Sequence, residues 1–150
     1  MIMEKDAFRI DKEDARQYLQ MLQDTINRMA SKSSNCKTWT IMLFTAIAGL
    51  FIGTEEMRKR LWIISIPIVL LYYLDAYYLG LEKGFRDLER SFVNRLRSGQ
   101  TYSSLIYVFD ISKMGNYSQW KNFKKGLMSN ATWPLYLMLM VICIALCIVL

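Results

Sequence analysis

Apolar residues along this chain fall into three unbroken blocks, joined by segments in which they recur every three or four positions. The blocks are Thr38 to Gly53, Leu61 to Gly80 and Trp133 to Leu150. None contains Lys or Arg, and their single acid is Asp75. They run 16, 20 and 18 residues, where a bilayer core of about 30 Å asks for roughly 17 to 25 helical residues. A soluble core helix is rarely apolar all round at such length. The pattern predicts an all-α membrane protein with two good spans and a third at the C-terminal end. The first block is the shortest and can borrow Asn35 to Lys37 at the interface.

Between the blocks the period is helical. From Asp11, with Glu13 and Asp14 suited to a positive helix start, Ala15, Tyr18, Leu19, Leu22, Ile26 and Met29 form one apolar stripe. The turn-forming run "SKSSN" (Ser31 to Asn35) is expected to end this helix. After the second block, Leu81, Phe85, Leu88, Phe92 and Leu96 continue the rhythm. One helix from about Leu61 to Arg97 is therefore expected, roughly 55 Å long. Its second half is expected to project from the membrane and to pack on the first helix or on copies in neighbouring subunits. Ser103 to Ser112 reads as a strand or a short buried helix. Asn116 to Asn130 reads as a basic, aromatic interfacial helix, and Pro134 suits the first turn of the third span. The expected organisation is an amphipathic helix over 1–37, a transmembrane hairpin over 38–80, a helical stalk with a basic segment over 81–132, and a third span over 133–150.

Charge sets the orientation. There are 7 basic residues before the first block, 3 between the first two, and 9 from Leu81 to Thr132. By the positive-inside tendency, the N-terminus and the long middle segment are expected in the cytoplasm, in a multi-pass protein of the bacterial inner membrane. The first 37 residues hold no apolar run of the kind a secretion signal carries.

Chemistry narrows the function. The chain has no histidine, the commonest general base and metal ligand. Its three cysteines, Cys36, Cys143 and Cys147, suggest small packing residues rather than a disulfide frame or a zinc site. No nucleophile-elbow, phosphate-loop, dinucleotide or metalloprotease pattern occurs. The expectation is a protein that is not an enzyme and needs no cofactor.

Three features remain. An intramembrane carboxylate costs roughly 2.5–3.5 kcal/mol at a helix centre. Asp75 lies nearer the cytoplasmic boundary, ringed by tyrosines that include Tyr72 and Tyr78. It either holds a polar network with tyrosine hydroxyls, Thr38, Thr40 or Lys37, or lines a water-filled path or gate. Gly49-x-x-x-Gly53 and Gly80-x-x-x-Gly84 have the spacing that lets helices approach closely in lipid, which points to a homo-oligomer. Finally, Arg86, Arg90, Lys113, Lys121, Lys124 and Lys125, with Trp120 among them, combine cations and rings. Such a set suits a nucleotide or single-stranded nucleic acid, and equally anionic lipid headgroups.

The layout also resembles a family. A cytoplasmic helix, a two-span hairpin and a long helix projecting back are similar to the small two-transmembrane effectors of bacterial anti-phage systems called SLATT-like. The runs "LDAYYLGLEKGFRDL" (Leu74 to Leu88) and "INRMASKSSNCKTW" (Ile26 to Trp39) look like segments of small membrane proteins from such systems. One such home is the Hailong system, in which a nucleotidyltransferase product controls a small membrane effector. The likeness covers about Asp11 to Arg97, and the third span departs from the two-span plan. It implies an oligomeric membrane effector that a nucleotide or oligonucleotide from a partner nucleotidyltransferase, or release from one, opens to collapse the membrane potential. No catalytic residue carries over. A membrane-anchored scaffold and a holin-like lysis protein are the competing readings.

Overall fold

The computed structural model describes residues 12–51, 61–98 and 119–149. Lys113, Gly53 and the Ser103 to Ser112 stretch lie outside the described residues. Four α-helices are present among them: α1 (Lys12–Phe51), α2 (Ser65–Ser98), α3 (Gln119–Leu127) and α4 (Trp133–Val149). A 3₁₀ turn, Leu61–Ile64, leads into α2.

α1 opens with Glu13 and Asp14 in its first turn and then runs 40 residues without a break. The expected stop at Ser31 to Asn35 does not occur. No Gly or Pro stands between Lys12 and Ala48, so nothing forces the chain out of the helix, and packing on α2 outweighs the turn preference of the serines. The boundary drawn at residue 37 thus falls inside one continuous helix. α2 keeps the single-helix form expected of Leu61 to Arg97. Pro67 sits in its first turn, where a missing N–H costs no helical bond, and Arg95 and Arg97 suit the negative C-terminal end.

α1 and α2 pack antiparallel along a seam. On α1 the buried positions Ala15, Tyr18, Leu22, Ile26, Ser33, Cys36, Thr40 and Ala48 follow three/four spacing. On α2 the buried positions include Ile68, Leu71, Asp75, Leu88 and Phe92. At one end Tyr18 meets Phe92 edge-on at 4.7 Å between ring centroids, within a cluster that includes Leu22 and Leu88. At the other end Ala48, Ile64, Ile68 and Leu71 form a second cluster, completed by Tyr136 and Cys143 of α4. The polar residues Ser33, Thr40 and Asp75 lie between the two clusters.

The outer surface changes along the same axis. Trp39, Met42 and Leu50 of α1, Ile66, Val69, Leu70 and Tyr73 of α2, and Leu137, Met138 and Ile144 of α4 are all exposed. Past Tyr77 the exposed positions of α2 are charged or polar, among them Arg86, Asp87 and Arg90. The described residues form an all-α arrangement, and among them α2 is the one helix long and apolar enough to cross a membrane. Trp133–Ile148 is an apolar helix of shorter length.

Candidate functional site: a buried ion pair beside a basic groove

Asp75 is fully buried at a seam position of α2. Ser33 and Lys37 lie one turn apart on α1 and so face it together. The Ser33 hydroxyl donates to Oδ1 of Asp75. The Lys37 ammonium donates to the same oxygen at 2.9 Å and to Ser33 Oγ at 2.9 Å. Its Nζ is also 2.8 Å from Oδ2; the angle there is not that of a hydrogen bond, so this is a charge contact. The Lys37 side chain keeps 21% exposure, against 0% for Asp75. The lysine therefore reaches into the seam from a wet edge, lowering its own desolvation cost, while the carboxylate depends wholly on its partners.

Of the other residues expected around Asp75, Thr40 is in the same buried layer. Its hydroxyl donates to the Cys36 carbonyl at 2.7 Å, and beside it the buried Tyr136 of α4 donates its hydroxyl to the Leu71 carbonyl at 3.5 Å. Tyr72 is one step away: its ring lies 5.0 Å from that of Tyr136, and its hydroxyl donates to the Leu127 carbonyl at 2.8 Å. Tyr78 instead lies against the Tyr77 ring at 5.8 Å. Thr38 is exposed and donates back to Ser34. Sequence reasoning missed Ser33 and Tyr136. The signal for Ser33 was present, since the Ala15–Tyr18–Leu22–Ile26 stripe reaches position 33 if α1 is not stopped.

α3 lies directly on α2. A Cβ on Gly126 would stand 2.3 Å from the Ala76 carbonyl oxygen, and one on Gly80 would stand 3.1 Å from that of Asn122. Gly80 thus brings α2 and α3 together within the chain, and Gly84 is buried on the same helix. Gly49 differs: a Cβ there meets nothing within 4 Å. Two of the C-terminal carbonyls of α3, a helix end that leaves such groups without helical partners, are capped from α2. Lys83 donates to the Lys125 carbonyl at 2.8 Å, and Tyr72 caps Leu127. Burial holds the Lys83 ammonium below the usual lysine value, the Lys125 charge adds to this, and Glu82 opposes it.

This docking opens a groove of about 950 Å³ between α2 and α3. Lys83, Arg86 and Arg90 line it from α2, and Lys121, Lys124 and Lys125 from α3, against the acids Glu82 and Asp87. Arg86 is held by Glu82 at 2.8 Å, and Arg90 lies 3.8 Å from Asp87. Five of the expected ligand residues are gathered here. Trp120 is not among them. It sits on the opposite flank of α3, in a cleft of about 320 Å³ with Tyr73, Tyr77 and Phe123. No three His, Cys, Asp or Glu side chains gather in a metal-binding arrangement among the described residues.

Fold and site together define an all-α protein with one membrane-length helix that carries, in order, an exposed apolar band, a buried charged layer and a basic groove. Compared with family models, curated proteins and solved structures, the chain matches none.

Proposed function

We propose that the protein is an oligomeric membrane effector of bacterial anti-phage defence that forms a gated pore or disrupts the membrane under control of a nucleotide or oligonucleotide signal. The observation that carries this reading is the placement of the buried Asp75 and the groove residues Lys83, Arg86 and Arg90 on one uninterrupted helix. From Asp75 to Glu82 is two turns, about 10 Å at 1.5 Å per residue. A polyanion that pulls on Lys83 or Arg86 therefore acts on the helix that holds the buried charge.

In this reading the apolar parts of α1, α2 and α4 span the inner membrane, with the seam cluster of Tyr18 and Phe92 in the cytoplasm. The exposed apolar band supports it, because soluble monomers seldom leave such surfaces uncovered. Trp39, Tyr73, Tyr77 and Trp133 at one edge of the band suit an interfacial aromatic belt. Asp75 then lies about 20 Å from the Trp62 end of the band, close to the cytoplasmic boundary, where a charge is cheaper than at mid-membrane. The layout supports a SLATT-like effector, with the Hailong type as one home. The groove supports a phosphate-bearing signal made by a partner nucleotidyltransferase.

Current across planar bilayers tests this. Purified protein is expected to give current that a single-stranded oligonucleotide alters. Asp75→Ala is expected to change the gating, and Lys121→Ala/Lys124→Ala/Lys125→Ala to remove the ligand effect. Unaltered gated current in both variants sinks these assignments. Ungated lesions in the wild type favour a holin-like protein, and silence favours a membrane-anchored scaffold.

A further inference from the structure

We propose that α3 and the face of α2 beneath it form a binding site for an anionic phospholipid, with the headgroup phosphate in the basic groove and the apolar body of the lipid against the aromatic cleft. The two flanks of α3 are chemically opposite and are ordered along α2. Phe123 packs on Tyr73 at 4.9 Å and on Trp120 at 5.8 Å between ring centroids. Tyr73 and Tyr77 precede Gly80 on α2, on the side of the exposed apolar band. Lys83 and Arg86 follow it, on the charged side. The short helix thus runs across the border between apolar and charged surface, with each flank turned to the matching side.

The aromatic flank is uncovered, with Trp120 70% and Tyr73 58% exposed. It joins the exposed band of α2 through Tyr73. A soluble ligand would meet the groove but would leave this flank in water. A phospholipid satisfies both: rings of this kind sit at the headgroup level with their apolar faces toward the chains, and lysines beside them attract anionic headgroups. The inference rests on the reading of the groove as a phosphate site. It places a lipid phosphate there, which any soluble polyanion must displace.

Native mass spectrometry of the full-length protein in a non-ionic detergent tests it. Phosphatidylglycerol and phosphatidylcholine with identical chains are compared, and a single-stranded oligonucleotide is the competitor. Retention of phosphatidylglycerol is expected to exceed that of phosphatidylcholine by about tenfold or more. Lys121→Ala/Lys124→Ala/Lys125→Ala is expected to erase the preference, and Lys→Arg at the same positions to keep it. These side chains are exposed, so both variants are expected to keep their fold, which circular dichroism checks. Trp120→Ala is expected to weaken both lipids alike. Equal retention of the two lipids, or a preference untouched by the alanine triple, overturns the inference. Oligonucleotide bound through these lysines without any lipid preference overturns the lipid site and leaves the signalled effector standing. A lipid preference that the oligonucleotide does not compete away supports the lipid site and removes the soluble signal from this groove.

Discussion

Lys37 of α1 and Asp75 of α2 form an ion pair at 2.8 Å in which one partner is fully buried and the other keeps a wet edge. The pair lies in the seam between two apolar clusters, as a polar residue at a core position of a coiled coil does. Such a layer fixes register and costs stability relative to an apolar pair. The asymmetry in exposure orders the variants. Lys37→Met strands the Asp75 carboxylate with Ser33 alone and is expected to cost about 3 kcal/mol. Asp75→Asn leaves a lysine that can turn to water, and should cost less. Lys37→Met/Asp75→Leu should recover most of the loss. Thermal unfolding of the four proteins in detergent checks the order, and equal losses for the two single variants would contradict it.

The glycines of the α2–α3 crossing give a second ordering. At Gly126 an added methyl meets the Ala76 backbone oxygen at 2.3 Å, which no rotamer change relieves. At Gly80 the closest atom is 3.1 Å away, a distance that a slight shift of α3 accommodates. Gly126→Ala is therefore expected to displace α3 and cost about 1–3 kcal/mol. It should also abolish oligonucleotide binding at the groove, because that groove exists only while α3 is docked. Gly80→Ala should weaken binding without abolishing it. Equilibrium binding of a fluorescent oligonucleotide to each variant makes the comparison.

Much of this was legible in the sequence, and the misses have physical causes. The long α2 was legible because Leu81, Phe85, Leu88 and Phe92 carry the apolar stripe past the end of the apolar block. Asp75 was legible because it is the single acid in those blocks. Ser33 was hidden by its neighbours: Ser31 to Asn35 has the composition of a turn, yet holds no residue that breaks a helix. The separation of Trp120 from Lys121, Lys124 and Lys125 was hidden for another reason. Cations and rings alternate along α3, and only the Gly80–Gly126 crossing decides which flank of the helix faces which half of α2.

Alkaline pH offers a handle on the stalk through Tyr18, isolated by comparison with Tyr18→Phe. Tyr18 is buried against Phe92, and burial pushes its phenol above the ordinary value of 10.0. The folded state thus favours the neutral phenol. Its contribution is complete below about pH 10 and is lost as pH rises through the folded-state value. Wild-type stability should fall more steeply than that of Tyr18→Phe between about pH 9 and about pH 11. Denaturant unfolding followed by circular dichroism measures both slopes. Parallel slopes would show that Tyr18 does not govern this window.

Gly49 gives the sharpest test of self-association. Within one chain nothing lies within 4 Å of a Cβ placed there, and Met42 and Leu50 nearby are exposed. A glycine inside a helix costs about 1 kcal/mol relative to alanine, so an isolated chain gains from Gly49→Ala. A copy packed against this face changes the sign for larger residues, because small residues are what permit close approach of helices in lipid. Gly49→Leu is therefore expected to convert oligomer to monomer in chemical cross-linking and light scattering, while Gly49→Ala keeps most of the oligomer. Should both variants keep the oligomer and melt higher than wild type, the contact between copies is elsewhere. The next surface to alter is then the exposed face of α2 at Ile66 and Leu70.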